Sequence, residues 1–305
     1  MRNPRPVCPN PECVNHTKPP AGFYIKRGYR TAKHNGQPIP RYQCRDCGRY
    51  FCATQTKPQR RQHRPELNAQ IYEMAVSGVS MRRMEKLLGC DTRTIARKIQ
   101  YLAEQAKVEH AKFLANPDNQ TSFVMMDELE TFIHARHKQV SVPVIIRVKT
   151  GQILSFAVAR TASNMKLGGA GTSPLPPGGS NWQIDDRHTV VTAVFASVAP
   201  LLKPGAMIAT DGASSYGKWI KAALPGVTHS VRNSPKETNL GRARKRADGE
   251  AREHDPLFGI NVLFAKMRND LARLGRKTWT TTKTIDALER HLWLYVAWTN
   301  GYRLK

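Results

Sequence analysis

The sequence lacks any run close to the roughly 20 apolar residues that a membrane-spanning helix requires. Its first residues, MRNPRPVCPN, lack the apolar stretch of a secretory signal, so we expect no export. Acidic residues are scarce, because 23 Asp and Glu stand against 48 Lys and Arg, a net charge of +25. The hydrophobic fraction of 40% is nevertheless too high for a disordered basic tail. We therefore expect a soluble, cytoplasmic protein whose charge suits a polyanion such as nucleic acid.

The positive charge is concentrated towards the two ends of the chain. Residues 1–64 contain 14 Lys and Arg against 2 acids, a net charge of +12, and residues 229–305 contain 16 against 8, or +8. Between them, residues 65–122 reach only +1 and residues 123–228 only +4. A well-solvated surface explains a modest excess of this kind, but an excess so segmented favours nucleic-acid binding.

The residue pattern changes twice along the chain, and we place domain boundaries near residues 62 and 120. The pattern of the first segment is irregular and basic, that of the second is helical, and that of the third alternates strands with helices, which predicts an α/β fold. A Gly- and Pro-rich insertion at 163–181 interrupts the third segment. The predicted elements are helices over 67–78, 80–89 and 91–106, strands over 123–133, 140–149 and 153–160, a helix over 187–202, a strand at MIAT, and helices over 257–275 and 284–299.

Four of the six cysteines fall into two pairs, Cys8-x4-Cys13 and Cys44-x2-Cys47. Four thiolates in this arrangement can surround one Zn²⁺ ion tetrahedrally, and the residues between them suit a β-hairpin. Residues 1–62 are therefore predicted to form a zinc ribbon. Disulfides or unrelated buried thiols are the alternatives, and disulfides are disfavoured in a chain without an export signal.

The second segment, 63–120, has the pattern of a helix-turn-helix. Gly78 and Gly89 mark turns, and Ser80 and Asp91 are candidate N-caps. Three basic residues, Arg93, Arg97 and Lys98, lie on the third helix and are predicted to contact DNA. The alternative is a helical spacer with a solvated, charged face.

Two aspartates occupy positions typical of phosphoryl-transfer sites. Asp127 lies within the first strand of the third segment, and Asp211 ends a later strand, in ATDGASSY. Carboxylates on adjacent strands repel each other unless a divalent cation neutralises them, and Mg²⁺ prefers such oxygen ligands. The pair predicts a magnesium site.

The stretch LARLGRKTW, together with MMDEL and ATDGASSY, resembles bacterial insertion-sequence transposases of the IS-one type. The order of zinc ribbon, helix-turn-helix and acidic motifs matches that family's layout, so the resemblance covers nearly the whole chain. It implies an RNase H-like mixed-sheet catalytic domain over 121–305 with an Asp-Asp-Glu or Asp-Asp-Asn triad. It also implies Mg²⁺ or Mn²⁺ as cofactor, double-stranded element ends and target DNA as partners, a homodimer or higher oligomer, and a location at the bacterial nucleoid.

Carried onto this sequence, the resemblance assigns the catalytic metal ligands to Asp127, Asp211 and Asn261. Asn261 departs from the commoner Glu, and it would lower the charge of the site from −3 to −2. Glu253 or Asp255 could take the third position instead. The same departure leaves open an inactive DNA-binding regulator, and a nuclease that cuts without joining is a further alternative.

Further DNA contacts are predicted near the third catalytic position. Arg268 lies two helical turns after Asn261, on the same helix face, and Lys266 is its neighbour. Arg276 and Lys277 follow as phosphate contacts, and the next aromatic residue, Trp279, offers a stacking surface. A solvated helix end, where cations are favoured, explains this cluster almost as well.

Overall fold

A computed structural model describes residues 6–31, 36–52, 62–135, 138–161, 185–232, 255–275 and 278–304. The chain divides between residues 66 and 67 into two units, each with its own core. The predicted insertion at 163–181 lies outside the described residues.

The first unit is built on three antiparallel strands in the order β1 (Tyr24–Thr31), β2 (Pro38–Cys44) and β3 (Tyr50–Cys52). The hairpin of β1 and β2 pairs Tyr24 with Cys44, and it confirms the predicted hairpin between the cysteine pairs. The small core consists of Phe23, Phe51 and three buried cysteines. Because so few apolar side chains are available, this unit depends on additional links between its segments.

The second unit begins with three helices, α1 (Leu67–Ala75), α2 (Met81–Leu88) and α3 (Thr92–Ala115). Both predicted N-caps are confirmed, since Ser80 accepts from the backbone of Arg83 and Asp91 accepts from the backbone of Arg93. Gly89, at φ 56°, ends α2 in the left-handed conformation that glycine tolerates. The helix α3 ends nine residues later than predicted, and its C-terminal part contacts the sheet, where the ring of His110 hydrogen-bonds to the carbonyl of Leu154.

A mixed six-strand sheet forms the centre of the second unit. Its strands are β4 (Thr121–Phe132), β5 (Gln139–Arg147), β6 (Ile153–Phe156), β7 (Ala159–Arg160), β8 (Leu202–Thr210) and β9 (Thr228–Val231). The order is β6-β5-β4-β8-β9, with β7 also paired to β5. The pairs β4–β5, β5–β6 and β5–β7 are antiparallel, whereas β8 runs parallel to β4 and β9 runs parallel to β8.

Helices cover both faces of this sheet, as the alternation of side chains along β4 requires. Val124 and Met126 enter a core with α4 (Arg187–Val198) and α5 (Tyr216–Ala223). Met125 and Leu129 enter the other core, which contains α1–α3, α6 (Phe258–Asp270) and α7 (Ile285–Asn300). The architecture is α/β, as predicted.

The three N-terminal helices share this second core with the sheet. Leu67, Ile71 and Ile95 belong to the same buried cluster as Met125 and Leu292. At the α1–α2 turn, the backbone N–H of Gly78 donates to the carbonyl of Asp270, at the end of α6, over 2.5 Å. A Cβ at Gly78 would lie 3.3 Å from the carbonyl oxygen of Asn269, so the turn approaches α6 closely.

Some predicted boundaries are wrong. The third predicted strand is divided into β6 and β7, and the helix predicted over 187–202 ends as α4 at Val198 with a 3-10 turn over Ala199–Leu201. The strand β8 begins at Leu202 and passes through Pro204 and Gly205, which were expected to precede it. The elements α5 and β9 were not predicted. In the described part of the chain, every helix is too short or too polar to span a membrane.

Candidate metal centre and carboxylate site

The four cysteines of the first unit converge on one point. The Sγ atoms of Cys8, Cys13, Cys44 and Cys47 all lie within 4.8 Å of one another. The Sγ atoms of Cys8 and Cys47 are 3.5 Å apart, and those of Cys13 and Cys44 are 3.8 Å apart. Sulfurs bound at about 2.3 Å to a tetrahedral zinc ion would be about 3.8 Å apart, whereas a disulfide needs about 2.05 Å. The cluster therefore fits a structural metal such as zinc, and the four cysteines are not disulfide-bonded.

The surroundings of the cysteines give their thiols different pKa values. Burial alone would raise the pKa of Cys44, but the backbone of Cys47 and the amide of Asn15 stabilise its thiolate and lower the pKa to about 7. Asn15 is buried, and its Nδ2 donates to Cys44 Sγ over 3.4 Å and also to Asp46. By contrast, burial raises the pKa of Cys8 to about 12. A cation that replaces the thiol protons would remove this penalty.

In the second unit, the parallel pairing of β4 with β8 brings the two predicted aspartates together. The last paired residues are Met125 and Ala209, so Asp127 and Asp211 each lie two residues beyond this pair, and the negative charge of Asp211 acts on Asp127. Asp211 is the first residue after β8, and its Oδ1 accepts from the backbone N–H of Ala213 over 3.1 Å. Asp127 is thus held by the sheet, and Asp211 by a turn at the end of the sheet.

The electrostatic field at Asp127 is that of a crowded acidic site. Burial is the largest cause that raises the pKa of Asp127 from 3.8 to about 6, and the negative charges of Asp211, Glu128 and Asp255 add to it. The backbone N–H of Glu128, 2.7 Å from Asp127 Oδ1, acts in the opposite direction. The surroundings therefore disfavour the ionised form of Asp127, and a bound cation would offset this cost.

The third predicted position, Asn261, lies in the first turn of α6. Its Nδ2 donates to Asp255 Oδ2 over 2.7 Å, so Asn261 and Asp255 are direct neighbours. The helix lies against the face of the sheet that carries Asp127, because a Cβ at Gly259 would be 3.7 Å from Met125 Sδ. Asp255, an alternative for the third position, contributes to the raised pKa of Asp127, whereas Glu253 lies outside the described residues.

Sequence reasoning missed a buried hydrogen-bonded group beside Asp127. Glu128 points to the opposite face, where its Oε1 accepts from the hydroxyl of Tyr216 over 2.6 Å and its Oε2 accepts from the hydroxyl of Ser141. Tyr216 is only 3% exposed, and burial and the charge of Glu128 raise its pKa. Since Tyr216 begins α5, directly after the Asp211 turn, this bond ties the two aspartate-bearing segments together. The sequence could have indicated this, because Asp127 and Glu128 are successive residues of one predicted strand and must point to opposite faces of the sheet.

The predicted DNA contacts on α3 divide into two kinds. Arg93 and Arg97 are exposed, and they share the helix surface with exposed Gln100. The prediction for Lys98 is wrong, because Lys98 is 4% exposed and its ammonium donates to Asn68 Oδ1 over 2.9 Å. Lys98 belongs to the packing between α1 and α3 and is not presented to a phosphate.

On α6, Asn261 and Arg268 line one open depression, as their spacing predicts, together with Phe264, Ala265 and Asn269. Lys266 is exposed on the same helix. Arg276 and Lys277 lie outside the described residues.

Among the described residues, the four cysteines are the only group of three or more His, Cys, Asp or Glu close enough to hold a metal ion. Asp127, Asp211 and Asp255 are electrostatic neighbours and not an assembled cage. Carboxylate oxygens are the type of ligand that Mg²⁺ and Mn²⁺ prefer, but the structure does not bring three of these groups together.

No known protein-family model matches this chain, and no curated protein matches its sequence.

Proposed function

We propose that this chain is a DNA transposase that binds the ends of its element and carries out divalent-metal-dependent cleavage and strand transfer. The observation that supports the proposal is the electrostatic proximity of Asp211 to Asp127, two residues beyond the last parallel pair of β4 and β8. The resemblance of MMDEL, ATDGASSY and LARLGRKTW to transposases of the IS-one type assigns these two residues the same role.

An RNase H-like catalytic domain is part of this proposal. In the described sheet, three successive antiparallel strands are followed by two strands that run parallel to the first. Helices pack on both faces, and the acidic residues lie on the central strand β4 and at the end of its parallel neighbour β8. This arrangement is compatible with such a domain, and it supports our proposal of a site where β4 and β8 are adjacent.

The chemistry requires the acidic side chains to bind and orient, and no side chain acts as a covalent nucleophile. A divalent cation bound there would stabilise the charge that develops on the attacking and leaving oxygens. The carboxylate oxygens of Asp127, on β4, and Asp211, directly after β8, would be the ligands. Water attacks the phosphorus, the bond from phosphorus to the 3′ oxygen breaks, and a 3′-hydroxyl and a 5′-phosphate result. The 3′-hydroxyl then attacks a target phosphodiester and releases a new 3′-hydroxyl there.

The third position in our proposal is a pair of residues. Asp255 supplies the third negative charge that Asn261 lacks, and Asn261 orients it through the 2.7 Å hydrogen bond from Nδ2 to Oδ2. The amide oxygen of Asn261 remains available as a neutral metal ligand beside the charged carboxylate of Asp255. Under this reading, the Asn in place of Glu does not reduce the total charge at the site.

DNA binding is assigned to α2 and α3, acting as a helix-turn-helix, and to the zinc ribbon. Five cations on α2 and the first two turns of α3 are exposed, namely Arg82, Arg83, Lys86, Arg93 and Arg97. On α3, Arg93 and Arg97 lie in the first two turns, whereas Lys107 and Lys112, further along the helix, are in ion pairs with Glu104 and Glu109. A recognition helix that enters the major groove by its N-terminal turns would have this distribution.

The deciding experiment compares Asp127→Asn with Glu130→Gln, a change of an exposed carboxylate on the same strand. Duplexes made from the two flanks of the gene serve as substrate, with Mg²⁺ or Mn²⁺. We expect Asp127→Asn to abolish cleavage and leave binding intact, and Glu130→Gln to retain both. Cleavage unchanged in Asp127→Asn would refute the assignment of the site.

The wild-type protein distinguishes the remaining functions. Binding without cleavage in either metal would indicate an inactive regulator. Cleavage without joining of precut ends to target DNA would indicate a nuclease. If Asp255 completes the site, Asp255→Asn should raise the Mg²⁺ concentration that half-maximal cleavage requires. An unchanged metal titration would contradict that assignment.

A further inference from the structure

Trp279 is the most exposed large apolar side chain of the described residues. Its relative exposure is 101%, compared with 52% for Trp298, and Trp219 and Trp293 are half-buried. Among the described residues nothing covers this indole, so both faces of the ring are available. An aromatic ring of this kind is suited to stack on another flat ring system.

The backbone on either side of Trp279 is held in place. The hydroxyls of Thr278 and Thr280 both donate to the carbonyl oxygen of Ala272, over 2.8 Å and 2.7 Å. The two hydroxyl oxygens are 2.7 Å apart, and the backbone N–H of Thr280 donates to Thr278 Oγ1 over 3.1 Å. Trp279 therefore lies at the tip of a turn that two threonines fasten to the segment after α6. This attachment lowers the entropy lost when the indole binds a partner.

The charge around this turn favours a nucleic acid over an apolar protein surface. The stretch LARLGRKTWTTTKTI, residues 271–285, contains four cations and no acid. Lys283 is exposed and Arg273 is half-buried, whereas Arg276 and Lys277 lie outside the described residues. The residues that flank the indole are threonines and not further apolar side chains. Positive charge with one exposed aromatic ring is the combination by which proteins bind unpaired bases, since the cations contact phosphates and the ring stacks on a base.

We propose that Trp279 stacks on an unpaired nucleobase of bound DNA, and that this contact adds affinity for strand ends or frayed duplex. The proposal rests on the proposed function, because it assumes that DNA is the partner. It assigns to the turn at 278–280 a contact with a base, distinct from the phosphate contacts of the neighbouring cations.

The test uses the full chain in magnesium-free buffer, so that cleavage does not enter the result. Two probes are compared: a short single-stranded oligonucleotide of mixed sequence, and the same backbone with abasic sites in place of the bases. We expect Trp279→Ala to weaken binding of the base-bearing probe by about 5- to 150-fold and to leave the abasic probe unchanged. Trp279→Phe, which keeps an aromatic ring, should retain most of the affinity.

Two controls separate the base contact from charge. Lys283→Ala removes an exposed cation from the same stretch and should weaken both probes equally, with a smaller salt dependence. Binding of the base-bearing probe should quench the tryptophan fluorescence of the wild type, and Trp279→Phe should remove this quenching although it still binds.

Equal losses for both probes in Trp279→Ala, or no loss, would overturn the stacking proposal while DNA binding itself remained. Failure of the wild type to bind any oligonucleotide or duplex would overturn this proposal and the proposed function together. A fluorescence change with anionic lipid vesicles and none with DNA would also refute it, in favour of a membrane surface.

Discussion

Replacing Asp127 by Asn should make the second unit more stable at neutral pH. Asn has nearly the same shape as Asp, and its side-chain oxygen can still accept from the backbone N–H of Glu128, now 2.7 Å away. The substitution removes a negative charge from a half-buried position beside Asp211 and Asp255. If Asp127 serves metal binding and destabilises the fold, its replacement by Asn raises stability. If its carboxylate serves the structure, the same replacement lowers stability.

The size of the effect follows from the raised pKa of Asp127. In the unfolded chain the carboxyl has its ordinary pKa near 3.8, and in the folded chain the pKa is about 6. Below the lower value both states are protonated, so the carboxyl does not alter stability. As the pH rises through the interval, the unfolded chain loses its proton first, and the folded state becomes less stable. Above the upper value the loss reaches about 3 kcal/mol, since one pH unit corresponds to about 1.4 kcal/mol.

Urea unfolding of the wild type and Asp127→Asn in magnesium-free buffer, at about pH 4 and about pH 7.5, measures this difference. Asp118→Asn is the matched control, because it removes the same charge from an exposed turn. The advantage of Asp127→Asn should be near zero at the lower pH and rise to about 2–3 kcal/mol at the higher one. Added Mg²⁺ should stabilise the wild type more than the variant. Equal or lower stability of Asp127→Asn at the higher pH would refute the reasoning.

Three further outcomes are expected. Cys13→Ser, or a chelator, should release about one zinc ion per chain and unfold residues 1–66 while residues 67–304 stay folded, as metal analysis and amide exchange would report; retained zinc in the variant would contradict this. Tyr216→Phe should lower the free energy of unfolding by about 1.5–3 kcal/mol, because it removes the hydrogen bond from a buried hydroxyl to the half-buried carboxylate of Glu128. Urea titration measures this, and no change would mean that the bond contributes nothing. Lys98→Met should lower the free energy of unfolding by about 1–3 kcal/mol without affecting DNA affinity. Arg97→Ala should change the free energy of unfolding by no more than about 0.5 kcal/mol and should reduce the slope of log affinity for DNA against log salt concentration by about 1. The reverse pattern would mean that Lys98 does contact DNA.

The elements with strong local signals were predictable from the sequence. The strand β5 is a nearly continuous run of Val, Ile and Pro, buried along its length, and such runs occur in the interior of sheets. The caps at Ser80 and Asp91 were found because a short polar side chain directly before a helical period has a specific hydrogen-bonding role. The spacing of the four cysteines was equally informative, since two closely spaced pairs of thiolates are typical of a structural metal site.

The missed features depend on tertiary contacts or on which side of an element a residue faces. Lys98 was chosen for its charge, but it lies three residues after Ile95 and four before Leu102, on the buried stripe of α3. The elements α5 and β9 are short, and packing on the sheet stabilises them more than any local pattern. The contact between Asn261 and Asp255 joins residues six apart across the start of α6, a geometry that spacing alone does not define.

The hydrogen bond from Gly78 to the end of α6 has a consequence for how the proposed transposase would measure DNA. The helices α1–α3 and the sheet share one core, so they move together and not as separate bodies on a tether. If α3 recognises a DNA sequence and cleavage occurs at the carboxylate site, the fold fixes the distance between the recognised sequence and the cleaved phosphodiester. The number of base pairs from recognised sequence to cut would then be constant. Inserting a single base pair between the two would place the scissile phosphate out of reach, because there is no linker whose extension could absorb it.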